Sequence, residues 1–342
     1  MEARLVERAG IPFQTIPAAG IHGVDLRQLP ANIYAIFRGI KEAARILDEF
    51  KPDVVFFTGG FVAGPMAIPA SLRRIPILMY VPDIEPGLAL KVLAIFAQCI
   101  TVTTDDSRQF FSKKANIVTS GYPLRSEMVN WLSHPAELSG DKLTAREHFG
   151  IKDGRTVLLV FGGSKGAHSI NLALLANVAA LLHLVDIIHI SGELDWSLVE
   201  AAHSALLPDL AAHYHVFPYL HEDMGAALAA ADLVVSRAGA SVLGEFPYFG
   251  IPAILVPYPH AWRYQMVNAE ALSKQKAAII IEDAHLKSGL MLTIEKLLET
   301  PEKMDEMRSA MRGLRSPDAA CIIARLLTRK AEAQTGGVND QS

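Results

Sequence analysis

The sequence predicts an α/β protein of two Rossmann-like, parallel-sheet domains, and three observations predict it. A chain of 342 residues is longer than one ordinary core fills and suits two domains of conventional size. Short runs rich in Val and Ile alternate with helical patterns, the signature of βαβ units. Most of those runs end in a cluster of Gly, Pro or Ser and then a helix, as parallel strands do at their carboxyl ends.

Taken in order, the strand candidates are 53–58, 75–81, 99–103 and 117–119, then 156–161, 184–190, 215–218, 233–236, 253–256 and 278–281. The polar stretch 132–153 separates the two groups and is read as the boundary. This gives an N-terminal domain over 1–135, a linker over 136–155 and a second domain over 156–313. Residues 314–332 read as an amphipathic helix bracing both domains, with Pro317 and Asp318 near its start, and 333–342 as a polar, frayed tail.

Composition narrows the function classes. With 51% apolar and 20% charged residues the chain is globular rather than disordered. A net charge of −4 provides no bulk attraction for nucleic acid, so none is expected as a partner. Cys99 and Cys321 are the only cysteines, without a CxxC spacing, and the twelve histidines form no HxxxH or HExxH pair. Neither a disulfide framework nor a metal site is expected. No apolar run is long enough to span a bilayer and the first residues lack a signal-peptide core, so membrane contact is expected to be peripheral.

The strongest chemical signal is LLVFGGSKGAHSIN, residues 158–171, where an apolar strand runs through Gly162, Gly163, Ser164 and Gly166 into a helix. Glycines permit close backbone approach and positive φ, and free N–H groups at a helix start attract phosphate. The spacing is not that of a Walker loop, and a merely tight βα turn is the plainer reading. ADLVVSRAGASVLGE, residues 231–245, repeats the theme with Arg237, Gly239, Ala240 and Ser241 ahead of Val242, Leu243, Gly244 and Glu245. Two such turns in one domain can hold a diphosphate, while Glu245, kept from the phosphates by repulsion, suits ribose hydroxyls; a solvated helix-face carboxylate is its alternative. VPYPHAWRYQMVNA, residues 256–269, places Arg263, Gln265 and Asn268 among Trp262 and Tyr264, a combination that suits sugar rings and hydroxyls or, more plainly, a polar surface loop.

In the first half, FFTGGFVAGPMAIPA, residues 56–70, again joins a strand, the pair Gly59–Gly60 and a helix with Pro65 near its start. Phe61, Val62, Met66, Ile68 and Leu72 form either an apolar patch beside Arg73 and Arg74, suited to an anionic membrane surface, or ordinary core. MYVPDIEPGLALK, residues 79–91, offers the carboxylates Asp83 and Glu85, and SGYPLR, residues 120–125, ends a strand with Arg125.

Together with PYLHEDM and SPDAACIIARLL, these motifs stand in the order found in the MurG glycosyltransferases of bacterial peptidoglycan synthesis, and the chain resembles that family from Met1 to about Ala331. The resemblance implies a GT-B fold, two Rossmann-like domains facing a cleft. It implies that Ser164 and the Gly162–Gly166 loop bind the diphosphate with Arg125, that Leu220 meets the uracil, and that the helix start at Ala240, Ser241 and Val242 meets phosphate and sugar. Glu245 would hold the ribose and Gln265 the sugar hydroxyls, with Tyr264 at a position where the family commonly has a second glutamine. UDP-N-acetylglucosamine is the implied donor, with no cofactor required. Lipid I, an undecaprenyl-pyrophosphoryl-muramyl-pentapeptide, is the implied acceptor. Location at the cytoplasmic face of the bacterial membrane follows, with an anionic surface and other cell-wall synthesis proteins as partners.

The sequence also departs from the family. Met1 aligns with an internal family position, so the first strands and a GGTGGH-type loop are expected to be missing from the N-terminal sheet. Tyr80, Val81, Pro82 and Asp83 replace the family's HEQN loop, which puts Gly59, Gly60 and Asp83 on the acceptor side and leaves Asp83 and Glu85 as substitute bases. A related transferase with another lipid acceptor, a UDP-sugar epimerase of the same fold, and an inactive sugar-nucleotide-binding subunit therefore stay open on the sequence.

Overall fold

The computed structural model describes residues 6, 10–19, 27–60, 62–131, 138–152, 154–163, 165–260 and 263–336. Contacts divide the chain into two compact units, one drawn from 1–81, 86–119 and 321 onward, the other from 82–85 and 120–320.

In the first unit, four parallel strands lie side by side in chain order: β1 (Val55–Phe57), β2 (Ile77–Val81), β3 (Cys99–Val102) and β4 (Ile117–Thr119). Every residue of β2 and β3 is buried, which explains why they are apolar throughout rather than alternating. The helix Leu29–Phe50 turns Gly39, Ala43 and Leu47, spaced by four, towards the interior and packs on the helix Ala63–Leu72. Small residues on that line allow close approach: a Cβ at Gly39 would stand 2.1 Å from the Pro17 carbonyl oxygen.

The second unit carries six parallel strands, β5 (Val157–Phe161), β6 (Asp186–Ile190), β7 (Tyr214–Phe217), β8 (Leu233–Ser236), β9 (Ala253–Leu255) and β10 (Ala278–Ile280), in the spatial order β10-β9-β8-β5-β6-β7. Chain order runs one way from β5 through β7 and the other way from β8 through β10, so strand order reverses between β5 and β8. That is the topological switch point at whose carboxyl ends open α/β sheets bind ligands. Both glycine-rich turns of this half leave from those two strands. The sheet is sealed on one face by Ile170, Leu174, Leu181, Leu286, Leu290, Ile294 and their neighbours, all buried.

All ten expected strands are present, with ends moved by at most two residues. Two other expectations meet a different arrangement. The polar stretch around 136–155 contains the helix Leu138–His148, which packs on the helix Met224–Ala230 and pairs Lys142 and Arg146 with Asp232, so its charges serve tertiary contacts rather than a solvated linker. The division of contacts accordingly falls at Ser120. The segment expected as one helix over 314–332 begins with a turn over 314–318 after the helix Pro301–Gly313 and is helical only from Ala319, in the helix Ala319–Gly336, whose residues from Cys321 belong to the first unit. No helix among the described residues is long and apolar enough to cross a membrane.

Candidate functional site: a glycine-lined pocket at the strand reversal

The turn after β5 is shaped by contacts that only glycine permits. A Cβ on Gly162 would stand 2.1 Å from the Ala167 backbone nitrogen. Gly163 and Gly166 have φ of +91° and +75°, and Gly166 abuts Gly192: Cβ atoms on these two would meet Ser191 O at 2.3 Å and Gly166 Cα at 2.6 Å. The turn is closed by the Gly166 amide donating to Gly163 O at 2.9 Å and delivers the chain to the helix His168–Leu175. Ser164, expected within this turn, lies outside the described residues.

Behind the turn runs a buried polar chain that the sequence did not announce. Asn171, fully buried, donates to Asp195 Oδ2 (2.7 Å) and to Ser191 O (2.9 Å). Its Oδ1 lies 3.0 Å from His189 Nε2, and His189 Nδ1 lies 2.7 Å from the Tyr214 hydroxyl. Burial holds His189 neutral, lowering its pKa to about 3, with only Asp195 opposing. A neutral His189 donates to Asn171 and accepts from Tyr214, which fixes every donor in the chain. Its far end is Asp195 Oδ1, 2.9 Å from Nδ1 of the exposed His168.

The turn after β8 supplies the second wall. Ser241 precedes the helix Val242–Phe249, and its side chain acts on the Glu245 carboxyl one turn on. Glu245 is half-buried; burial raises its pKa, opposed by the Ser241 hydroxyl and by the Arg125 guanidinium. Tyr122 belongs to the same group: burial, Glu245 and Asp83 push its hydroxyl up to about 12, against Arg125. Arg237 spans the gap to the β5 side, donating to Asp283 Oδ1 (2.5 Å), Ser169 Oγ (2.8 Å) and Val256 O (3.2 Å), with its guanidinium 5.1 Å from the Tyr258 ring centre. Burial raises the Asp283 carboxyl, but Ser169 and Arg237 outweigh it and leave the pKa below the ordinary value.

Between the walls opens a pocket of about 980 Å³, at the upper end of small-ligand sites. Its lining brings together Gly162, Gly163, Gly166, Ser241, Val242 and Gln265 from three separate stretches of sequence. The Tyr258 amide donates to Gln265 Oε1 at 2.8 Å, which holds the side chain at the rim with its amide NH2 as donor. Lys165, His168, Arg237 and His260 also line it, against Asp195 and Asp283. The shape and donors suit a phosphate-bearing, hydroxyl-rich ligand.

The loop between β2 and the helix Leu88–Leu93 is pinned to the same unit. Asn268, fully buried, donates to Asp83 Oδ1 (2.9 Å) and Ala238 O (3.2 Å), and its Oδ1 accepts from the Ile84 amide (3.2 Å). Burial raises the Asp83 pKa, opposed by the Asn268 bond.

The family model of the glycosyltransferase family 28 C-terminal domain matches residues 157–321, and that of the N-terminal domain matches residues 1–102. A UDP-N-acetylglucosamine–N-acetylmuramyl-(pentapeptide) pyrophosphoryl-undecaprenol N-acetylglucosamine transferase of Roseiflexus sp. is 36% identical over 365 residues, 96% of this chain and 81% of the relative. The protein of the same name from Moorella thermoacetica is 35% identical, over 97% of this chain and 89% of its own. Among solved structures, Acinetobacter baumannii MurG aligns with a TM-score of 0.72 and 26% identity, over 96% of this chain and 88% of that one. The chain belongs to the MurG family. A UDP-GlcNAc 2-epimerase from Neisseria meningitidis, TM-score 0.65 and 16% identity, shares the fold.

Within this MurG-family fold the other expected residues stand as follows. Arg125 is coupled to Glu245 and Tyr122; Leu220, beyond β7, and Leu243 are buried; Ala240 lies in the turn ahead of Val242. Gly244 faces Tyr122 rather than the pocket lining. Glu85 shares the Asp83 loop and is half-buried. Gly59 and Gly60 follow β1 in the first unit with φ of +120° and +85°. Trp262 and Phe61 lie outside the described residues. Asn268, expected to read sugar hydroxyls or face solvent, is a buried clasp; a lone Asn in an aromatic-rich segment carries no sign of that partner 185 residues away. Among the described residues no three His, Cys, Asp or Glu side chains group to hold a metal ion.

Proposed function

We infer that this glycosyltransferase moves N-acetylglucosamine from UDP-N-acetylglucosamine to the C4 hydroxyl of the muramyl sugar of lipid I, making lipid II with inversion at the anomeric carbon. The observation that carries this reading is the pocket at the strand reversal, walled by two glycine-rich turns with Glu245 one helical turn behind.

In this reading the diphosphate rests on the amides of the Gly162–Gly166 turn and the start of the helix His168–Leu175, while Leu220 meets the uracil. Glu245 accepts the ribose hydroxyls, Gln265 donates to the sugar, and Arg125 acts beside them. As the sugar–phosphate bond breaks, UDP gains negative charge, and preformed amides and helix dipoles stabilise that charge where it develops, so no metal is assigned. Asp83 is the proposed base. Asn268 occupies one of its oxygens, leaving Oδ2 for the acceptor hydroxyl, and burial, by raising its pKa, makes it a stronger base than an ordinary carboxylate. Glu85 is the alternative base on the same loop.

For the lipid acceptor, we propose peripheral attachment at the cytoplasmic face of the membrane through the first unit. Val62, Ile68 and Leu72 are exposed there, which supports the apolar-patch reading for these three, whereas Met66 packs against the core and Arg73 is engaged by Asp48 at 2.7 Å.

The test incubates the protein with UDP-N-acetylglucosamine and a short-chain lipid I analogue. Mass spectrometry is expected to show addition of one N-acetylhexosamine, and proton NMR a β-glycosidic linkage. Epimerised donor without transfer, or UDP binding without turnover, would overturn the reading.

A further inference from the structure

Gly244 stands in the first turn of the helix Val242–Phe249, and within helices glycine is the least favourable residue apart from proline. The space beside it explains the choice. A Cβ at this position would stand 2.4 Å from Tyr122 Cβ and 2.9 Å from its Cγ and Cδ1, so the tyrosine rests on bare helix backbone. The next residue is Glu245, and three residues after Tyr122 comes Arg125. The contact therefore joins the segment carrying the guanidinium to the helix carrying the carboxylate, and Glu245, Arg125 and Asp83 all act electrostatically on the tyrosine.

We propose that Tyr122 is a positioning residue for the sugar-nucleotide site: its ring, seated on Gly244, sets the spacing between the Arg125 segment and the Glu245 carboxylate. The inference rests on the assignment of Glu245 to the ribose. Any side chain at 244 must push the helix and the loop apart, because the clash is with the root of Tyr122, next to its backbone, and not with a flexible tip. Gly244→Ala would improve helix propensity, so a loss of binding cannot come from the helix itself.

The full chain is titrated calorimetrically with UDP and with 2′-deoxyuridine diphosphate, because only the former presents the 2′-hydroxyl, and each variant is melted to check folding. Gly244→Ala is expected to lower the preference for UDP by about tenfold, whereas a general loss of structure would weaken both ligands alike. Tyr122→Phe should retain the preference, since the ring does the packing. Tyr122→Ala with Gly244→Ala should recover part of what Gly244→Ala loses, since the overlap is gone. An unchanged preference in Gly244→Ala, an equal loss for both ligands, or strictly additive effects in the double variant would overturn the proposal. Glu245→Gln separates the two ideas. If it leaves the UDP preference intact, the ribose assignment falls, and the melting temperatures of the unaltered chain, Gly244→Ala, Tyr122→Ala and the double variant decide the packing, additive shifts refuting it.

Discussion

The turns after β1 and β5 are assembled from the same parts, a parallel strand, a glycine pair and a following helix, yet they make different surfaces. After β5, Gly162 and Gly166 are pressed against backbone atoms, and the turn opens on a polar pocket. After β1, a Cβ on Gly60 would meet nothing within 4 Å, and one on Gly59 only the Leu90 side chain at 3.4 Å. Gly59 instead borders an apolar groove of about 360 Å³ lined by Phe50, Phe56, Phe57, Val62 and Met66. The glycine pair marks where the chain turns; enforced backbone contact marks where the backbone is held still, as the proposed anion site after β5 requires.

The sharpest way to break this contrast is to add a methyl group to each turn. Gly166→Ala combines positive φ with a hard clash and is expected to cost about 3–5 kcal/mol in urea unfolding. Gly60→Ala, with positive φ but open space, should cost about 1 kcal/mol. Equal costs would erase the distinction. Next in size, Asp83→Asn is expected to lower kcat about a hundredfold with the donor KM nearly unchanged, measured in the transfer assay; a change confined to KM would remove Asp83 as the base.

A smaller effect, about 1–3 kcal/mol in donor affinity, is expected for Glu245→Gln. Its pH dependence gives the sign. Ionised, the carboxylate accepts hydroxyl bonds on both oxygens and more strongly than the neutral acid, and burial raises its pKa, so donor affinity should fall as pH drops through a value above the ordinary carboxylate range. That acid limb should vanish in Glu245→Gln, and its persistence would exclude Glu245 as the source.

Much of this architecture was readable in advance because parallel strands are continuous apolar runs ended by turn residues, as in Val157–Phe161 followed by Gly162 and Gly163. Of the residues that line the pocket, Gly162, Gly163, Gly166, Ser241, Val242 and Gln265 were readable because they stand in segments that follow strand ends, whereas Leu194, Asp195 and Asp283 were not. What escaped reading depends on register between distant segments. Nothing near Asn171 announces His189, Tyr214 or Asp195, and nothing near Asn268 announces the loop at Asp83 and Ile84. The helix Leu138–His148 hid in a polar stretch because Lys142 and Arg146 are spent on Asp232, a partner some ninety residues on.

The most direct test follows backbone amide resonances while UDP-N-acetylglucosamine is added. Saturable shifts are expected at Gly162, Gly163, Gly166 and Ser241, with Gly59 and Gly60 unmoved. Shifts at Gly59 and Gly60 without any at the β5 turn would contradict the placement of the donor in the second unit.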